Sequence, residues 1–201
     1  IMMSFEDYPD FKDFFNKIKL TGNLEQSRLD LEDLKYFSKP LETSLNEVYI
    51  TGDINGPVSN LKLNDFELRF GNSSHYMGNL KMIGLPEISE TFMDIDLDRS
   101  DISFLDLHQI LPGINFPEYL YDAGPLTFDG RYTGFVTDFV AYGNLRTSYG
   151  KIKTDLNFKI PSGSGLPSYS GNIMLDEFDI GRLSNQEKMF GIANLEGSIE
   201  G

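Results

Sequence analysis

The chain has 201 residues, 40% of them hydrophobic, enough to cover a substantial core in one medium domain or in a stretch of an elongated repeat. Its 17 Lys and Arg against 31 Asp and Glu leave a formal charge of −14, which repels a phosphate backbone and an anionic bilayer and excludes nucleic acid as a partner. The absence of cysteine excludes a disulfide framework and thiolate chemistry.

In chain order, Pro9 to Lys17 is expected as a short helical lead-in with Phe11, Phe14 and Phe15 on its apolar side. Strands follow, recognised by two-residue alternation, because successive side chains of a strand point to opposite faces. Phe66 to Phe70 and Tyr76 to Met82 read this way. In Met93 to Asp98 the apolar set Met93, Ile95 and Leu97 opposes Asp94, Asp96 and Asp98. Ser103 is placed to cap a short helix through Ile110, ended by Pro112 and Gly113. Phe116 to Tyr121 is a weaker helical signal, and Leu126 to Tyr132 is a further strand. From Lys151 to Ile160, the residues Ile152, Leu156, Phe158 and Ile160, with Thr154 in register, oppose Lys151, Lys153, Asp155, Asn157 and Lys159. Pro161 to Pro167 is a flexible loop, Ile173 to Leu175 another strand, and Arg182 to Lys188 a weak helix. No run reaches the roughly 18 apolar residues of a membrane helix, and no signal segment opens the chain. Ile1 and Gly201 are expected to be cut ends of a larger protein, with any anchor outside the chain.

Self-similarity is the mark of stacked architecture. Ile50-Thr51-Gly52-Asp53-Ile54-Asn55-Gly56 aligns with Phe128-Asp129-Gly130-Arg131-Tyr132-Thr133-Gly134 and with Leu195-Glu196-Gly197-Ser198-Ile199-Glu200-Gly201. The ragged repeats therefore begin near 50, 128 and 195, within one fragment spanning 1–201. A phosphate-cradling loop would need Lys and Ser or Thr directly after the glycines, and they do not follow. Gly52, Gly56, Gly130, Gly134 and Gly197 are instead read as places where a sheet curls or another backbone comes close.

Chemistry-bearing constellations are sparse. Asp94, Asp96, Asp98 and Asp101 suggest a calcium loop, but a loop starting at Asp94 has Arg99 where Gly is needed and Leu105 where Glu is needed. His75 and His108 have no Cys to complete a soft metal set. Neither histidine lies beside a Gly-x-Ser-x-Gly serine, and no carboxylate pair stands out as acid and nucleophile. The expectation is no catalytic residue, no metal and no cofactor.

The phrases Ile18-Lys19-Leu20-Thr21-Gly22-Asn23-Leu24, Gly52 to Leu61, Gly130 to Gly134 with Thr137-Asp138-Phe139, and Ala141-x-Gly143-x-Leu145-x-Thr147-x-x-Gly150 resemble the periplasmic repeat region of the TamB (translocation and assembly module) family, in the AsmA-like superfamily. The resemblance covers most of Lys17 to Gly201 and rests on degenerate glycine and alternation patterns. It implies a long periplasmic protein anchored in the inner membrane of a diderm bacterium, folded as a strongly curled sheet, or β-taco, with an apolar concave face. It further implies a role in outer-membrane biogenesis, through assembly of β-barrel proteins, through lipid transport, or both, with phospholipid acyl chains and an outer-membrane assembly protein as partners.

The residues and the resemblance converge on an all-β fold with a few connecting helices. With almost no amphipathic helix to cover it, the apolar side of the sheet must pack on a second sheet, close on itself, or stay a groove. Met93, Ile95, Leu97, Ile152, Leu156, Phe158, Ile160, Ile173 and Leu175 are the groove candidates. The alternative is a secreted or surface β-sandwich that binds glycan or protein through its loops and its Tyr residues. A hydrolase is a third class for which no residue set presents itself.

Overall fold

The computed structural model describes residues 1–30, 47–110, 116, 118–161 and 165–201. Among these described residues eleven strands form one antiparallel sheet in strictly sequential order, open rather than closed into a barrel. They are β1 (Met2–Ser4), β2 (Lys19–Asp30), β3 (Glu47–Pro57), β4 (Asn60–Phe70), β5 (Ser74–Ile83), β6 (Phe92–Ile102), β7 (Leu126–Phe135), β8 (Asp138–Thr147), β9 (Gly150–Lys159), β10 (Ser168–Asp179) and β11 (Ile192–Glu200). Short helices α1 (Phe14–Lys17), α2 (Phe104–Ile110), α3 (Glu118–Asp122) and α4 (Ile180–Leu183) sit between strands. The all-β expectation holds, as one curled sheet rather than the two of a sandwich.

The local signals explain these elements. The Pro9 to Lys17 lead-in is a 3-10 segment, Tyr8–Asp13, running into α1, with Asp7 capping it by accepting from the Tyr8 N–H. Ser103 caps α2, its Oγ accepting from the Asp106 N–H at 3.2 Å. Pro112 and Gly113 lie outside the described residues, as does the centre of the Pro161 to Pro167 loop. The weak helix expected over Arg182 to Lys188 is shifted to Ile180–Leu183, because Asp179 accepts from the Arg182 N–H and starts the turn earlier.

A shorter repeat than the glycine phrases organises the sheet. A bulge interrupts the ladder on β2, β4, β6 and β10, each time within a phrase that begins at an inward Leu: Leu24-Glu25-Gln26-Ser27, Leu63-Asn64-Asp65-Phe66, Leu97-Asp98-Arg99-Ser100 and Leu175-Asp176-Glu177-Phe178. The leading residues are 39, 34 and 78 apart, two strands for the first two intervals and four for the last, since β8 has no bulge. Gln26, Asp65 and Glu177 take positive φ there. In two copies an Asn on the following strand satisfies the freed N–H: Asn79 Oδ1 accepts from Asp65 at 3.2 Å and Asn194 Oδ1 from Glu177 at 2.8 Å. Each extra residue increases local twist and bends the sheet; β8, which pairs in unbroken register with β7 and β9, carries none.

The Gly-x-x-x-Gly phrases fall on β3, β7 and the end of β11, four strands apart. Between bulges, large inward residues face glycines across the ladder: Leu24 opposite Gly52, Phe66 opposite Gly78, Leu97 opposite Gly78 and Gly130. The ring of Phe128 lies over both Gly130 and Gly143, filling the volume their missing side chains leave. Gly78 shows why the residue is needed. At φ +143° a Cβ would stand 1.9 Å from the Asp96 carbonyl oxygen. Gly197, by contrast, has open space where a Cβ would go.

The core follows this curvature. Leu24, Ile54, Leu63, Phe66, Leu97, Leu126 and Phe128 form one buried cluster across β2, β3, β4, β6 and β7, with Ile95, Tyr76 and Leu80 packed against it. We therefore expect Gly78→Ala to destabilise the fold by about 2–4 kcal/mol, from strained backbone and a clash with fixed backbone atoms. Gly197→Ala is expected to stay within about 0.5 kcal/mol of wild type. Urea unfolding of both variants measures the contrast.

Candidate functional site

The two faces of the sheet differ chemically because the alternation holds along nearly every strand. The outer face carries cross-strand ion pairs. Asp94 takes a bidentate pair from Arg131, Nε at 2.7 Å and Nη2 at 2.6 Å, with Thr133 Oγ1 at 3.2 Å. The Arg131 hydrogen bonds hold the Asp94 carboxyl below its ordinary range. Lys151–Asp176 at 3.0 Å and Lys159–Asp138 at 3.1 Å continue the pattern. His75 shares Glu67 with Arg69, its Nε2 2.7 Å from the carboxylate, and those two partners depress the Glu67 pKa, Arg69 more than His75. Among the described residues no three metal-ligating side chains gather.

The inner face is apolar from β2 to β11, and the groove candidates fall into two groups on it. Met93 and Ile95 on β6 are half-buried and face Met82 and Leu80, while Leu97 is 6% exposed within the main core. Ile152, Phe158, Ile173 and Leu175 on β9 and β10 are half-buried, and Leu156 between them is 8% exposed. Ile160 lies just beyond β9, half-buried, its N–H donating to the Thr137 carbonyl at 2.7 Å. On β11, Leu195 of this face is 49% exposed and Ile199 half-buried.

An aromatic ladder crosses four strands on this face. Tyr132 stacks on Phe139 at 4.7 Å between centroids, Phe139 on Phe158 at 5.4 Å, and Tyr169 follows Phe158 at 6.2 Å. Burial pushes the Tyr132 phenol up, and its O–H donates to the Phe135 carbonyl at 2.6 Å. Only Phe158 was legible as a candidate from sequence. The other three rings come from strands 132–169 and meet through register, which no local pattern specifies.

Two surface concavities, of about 590 and 390 Å³, lie away from the candidates. The first is lined by Asn23, Glu25, Asp53 and Asp65 among others, and the second by Glu47, Arg69 and the β4–β5 turn. No groove candidate lines either.

One end of the face is closed by α2. Leu107 and Ile110 pack on the buried pair Val48 and Phe70. Asp106 locks the helix in place. Its carboxylate, 1% exposed, accepts from the Asn72 N–H at 3.0 Å and the Ser73 N–H at 2.9 Å in the β4–β5 turn. Burial alone would raise the Asp106 pKa, but hydrogen bonds from Asn72, Ser73 and Ser74 outweigh it and hold the group below 3.8. A carboxyl depressed on folding contributes stability above its unfolded pKa and loses it as pH falls through its folded pKa. Asp106→Asn is therefore expected to cost about 2–3 kcal/mol at neutral pH, the scale of charged hydrogen bonds. The gap from wild type is expected to shrink below about pH 3.8, measured by denaturant unfolding across pH.

No helix among the described residues is long and apolar enough to cross a membrane. Comparison of the chain with protein-family models, curated proteins and solved structures found no match, so the candidate surface rests on its own geometry.

Proposed function

We propose that the chain is a non-enzymatic scaffold segment of a bacterial envelope protein, whose curled sheet guides phospholipid acyl chains along its apolar inner face. The carrying observation is that face itself, apolar on successive strands from β2 to β11, charged on its reverse, and only half-buried at Ile152, Phe158, Ile173 and Leu175. An acyl chain gains about 0.8 kcal/mol for each methylene it buries, so such a surface holds lipid without any polar motif. This physical logic accounts for a binding function with no signature residue.

The resemblance of the glycine phrases to the TamB family extends the proposal. In that reading the segment lies in the periplasm, its parent is anchored in the inner membrane, and the sheet bridges toward the outer membrane. Lipid would travel along the curl, or the curl would support assembly of outer-membrane β-barrels. The ladder of Tyr132, Phe139, Phe158 and Tyr169 favours the lipid role, because adjacent rings offer a continuous apolar track, with the Tyr132 hydroxyl already satisfied by the Phe135 carbonyl.

Lipid extraction and mass spectrometry of the purified chain are expected to find copurifying phospholipid. Phe158→Asp and Tyr169→Asp, at partly exposed inner positions, are expected to lower the amount at least about fivefold by removing apolar contact area. Val140→Asp, on the outer face, is expected to leave it unchanged. A wild-type chain free of lipid, or equal loss in all three variants, overturns the reading.

A further inference from the structure

Helix α2 lies on the inner apolar face itself. Its half-buried Leu107 and Ile110 pack with Val48, Leu68, Phe70 and Tyr76, which are inward residues near the ends of β3, β4 and β5. Leu68 and Tyr76 also pack against the main cluster of Leu63, Phe66 and Leu97, so the apolar face runs on beneath the helix. Leu107 and Ile110 therefore stand where an acyl chain crossing that part of the face would stand. The far side of the helix is open to water, with Leu105 61% exposed.

Two features set this contact apart from the rest of the core. The first is a polar latch at the start of the helix. The Asp106 carboxylate holds the Asn72 and Ser73 N–H groups, and Ser74 Oγ accepts from the Ser103 N–H at 3.3 Å. The turn has room for the carboxylate because residue 71 is Gly, and a Cβ there would run into it. Asn72 and Ser73 are themselves exposed, so water can take over both amides once the carboxylate leaves. The second feature is Tyr76. Its ring stacks on Phe70 at 5.4 Å, yet its hydroxyl is buried with no hydrogen-bond partner among the described residues. That hydroxyl lies toward Ser74 and Asp106, at the rim where α2 sits. Burying an unpaired hydroxyl costs stability, so closure of the helix carries an opposing term of its own.

Resting on the reading of the inner face as an acyl track, we propose that α2 is a lid on that track. Closed, Leu107 and Ile110 occupy the face over β3 to β5, and Asp106 latches the helix to the β4–β5 turn. An arriving acyl chain competes with them for Val48, Leu68 and Phe70 and shifts the helix to an open position. In that position water reaches the rim, the Tyr76 hydroxyl and the Asn72 and Ser73 amides.

The test is NMR of the isotopically labelled whole chain, titrated with stearate carrying a doxyl spin label near its methyl end and, in parallel, with unlabelled stearate. The spin label is expected to broaden the methyl signals of Val48 and Leu68 as well as those of Ile152 and Ile173. Unlabelled stearate is expected to speed hydrogen exchange at the Asn72 and Ser73 amides at least about threefold, where a ligand that binds the closed form slows it. Tyr76→Phe keeps the ring, removes the unpaired hydroxyl and favours closure. It is expected to reduce the broadening at Val48 and Leu68 at least about twofold and to leave that at Ile152 unchanged. Ile110→Ala, which weakens the closed contact, is expected to increase it. Broadening at Ile152 but not at Val48 and Leu68, or unchanged exchange at Asn72 and Ser73, overturns the lid and leaves the acyl track standing. The same response in both variants also overturns the lid. No broadening at any of these residues overturns the track and the lid together.

Discussion

Everything in this fold depends on letting backbones come close at the glycines of the inner face. At Gly78 the neighbouring carbonyl of Asp96 occupies the place a Cβ would take. A sheet of L-residues with a side chain at every such point stays flatter and leaves its apolar side spread toward water. Removing the Cβ and adding a bulge residue on the adjoining strand lets the sheet bend toward its apolar side. The bend in turn allows side chains of β2, β3, β4, β6 and β7 to bury one another without a helical layer.

The same geometry divides one surface into a packed part and an exposed part. Where curvature brings large residues over glycines, as with Phe128 over Gly130 and Gly143, the apolar face becomes core and stabilises the chain. On β11, Leu195 of the same face is 49% exposed. Burial, and with it stabilisation, is concentrated in the first region. Helix α2, pinned by Asp106 to the β4–β5 turn, closes the well-packed end. The outer face is tied by cross-strand pairs such as Arg131–Asp94, which fix register while remaining partly solvated.

The bulges and the glycine phrases fall on different strands. The phrases mark β3, β7 and β11, four strands apart, whereas the bulges mark β2, β4, β6 and β10. A bulge has a weak sequence signature: Leu, two polar residues, then Phe or Ser. Asn79 and Asn194 serve the same role on the strands that follow, yet an isolated Asn carries no visible mark of it.

The sequence by itself determined the strand content, because alternation is local: Met93 to Asp98 and Lys151 to Lys159 each announce two faces from a few consecutive residues. It also marked Ser103 as a cap, since capping needs only a side-chain oxygen three residues before a free N–H. Only the tertiary structure decided which apolar residues are core and which are surface. Leu156 and Phe158 look alike in the pattern, but one is buried between neighbouring strands and the other joins a half-covered ladder with Tyr132, Phe139 and Tyr169. The tertiary structure likewise brought Asp106 to the turn at Asn72, 34 residues away. Burial and pairing depend on register and curvature summed over many strands, and no single stretch of sequence carries that sum.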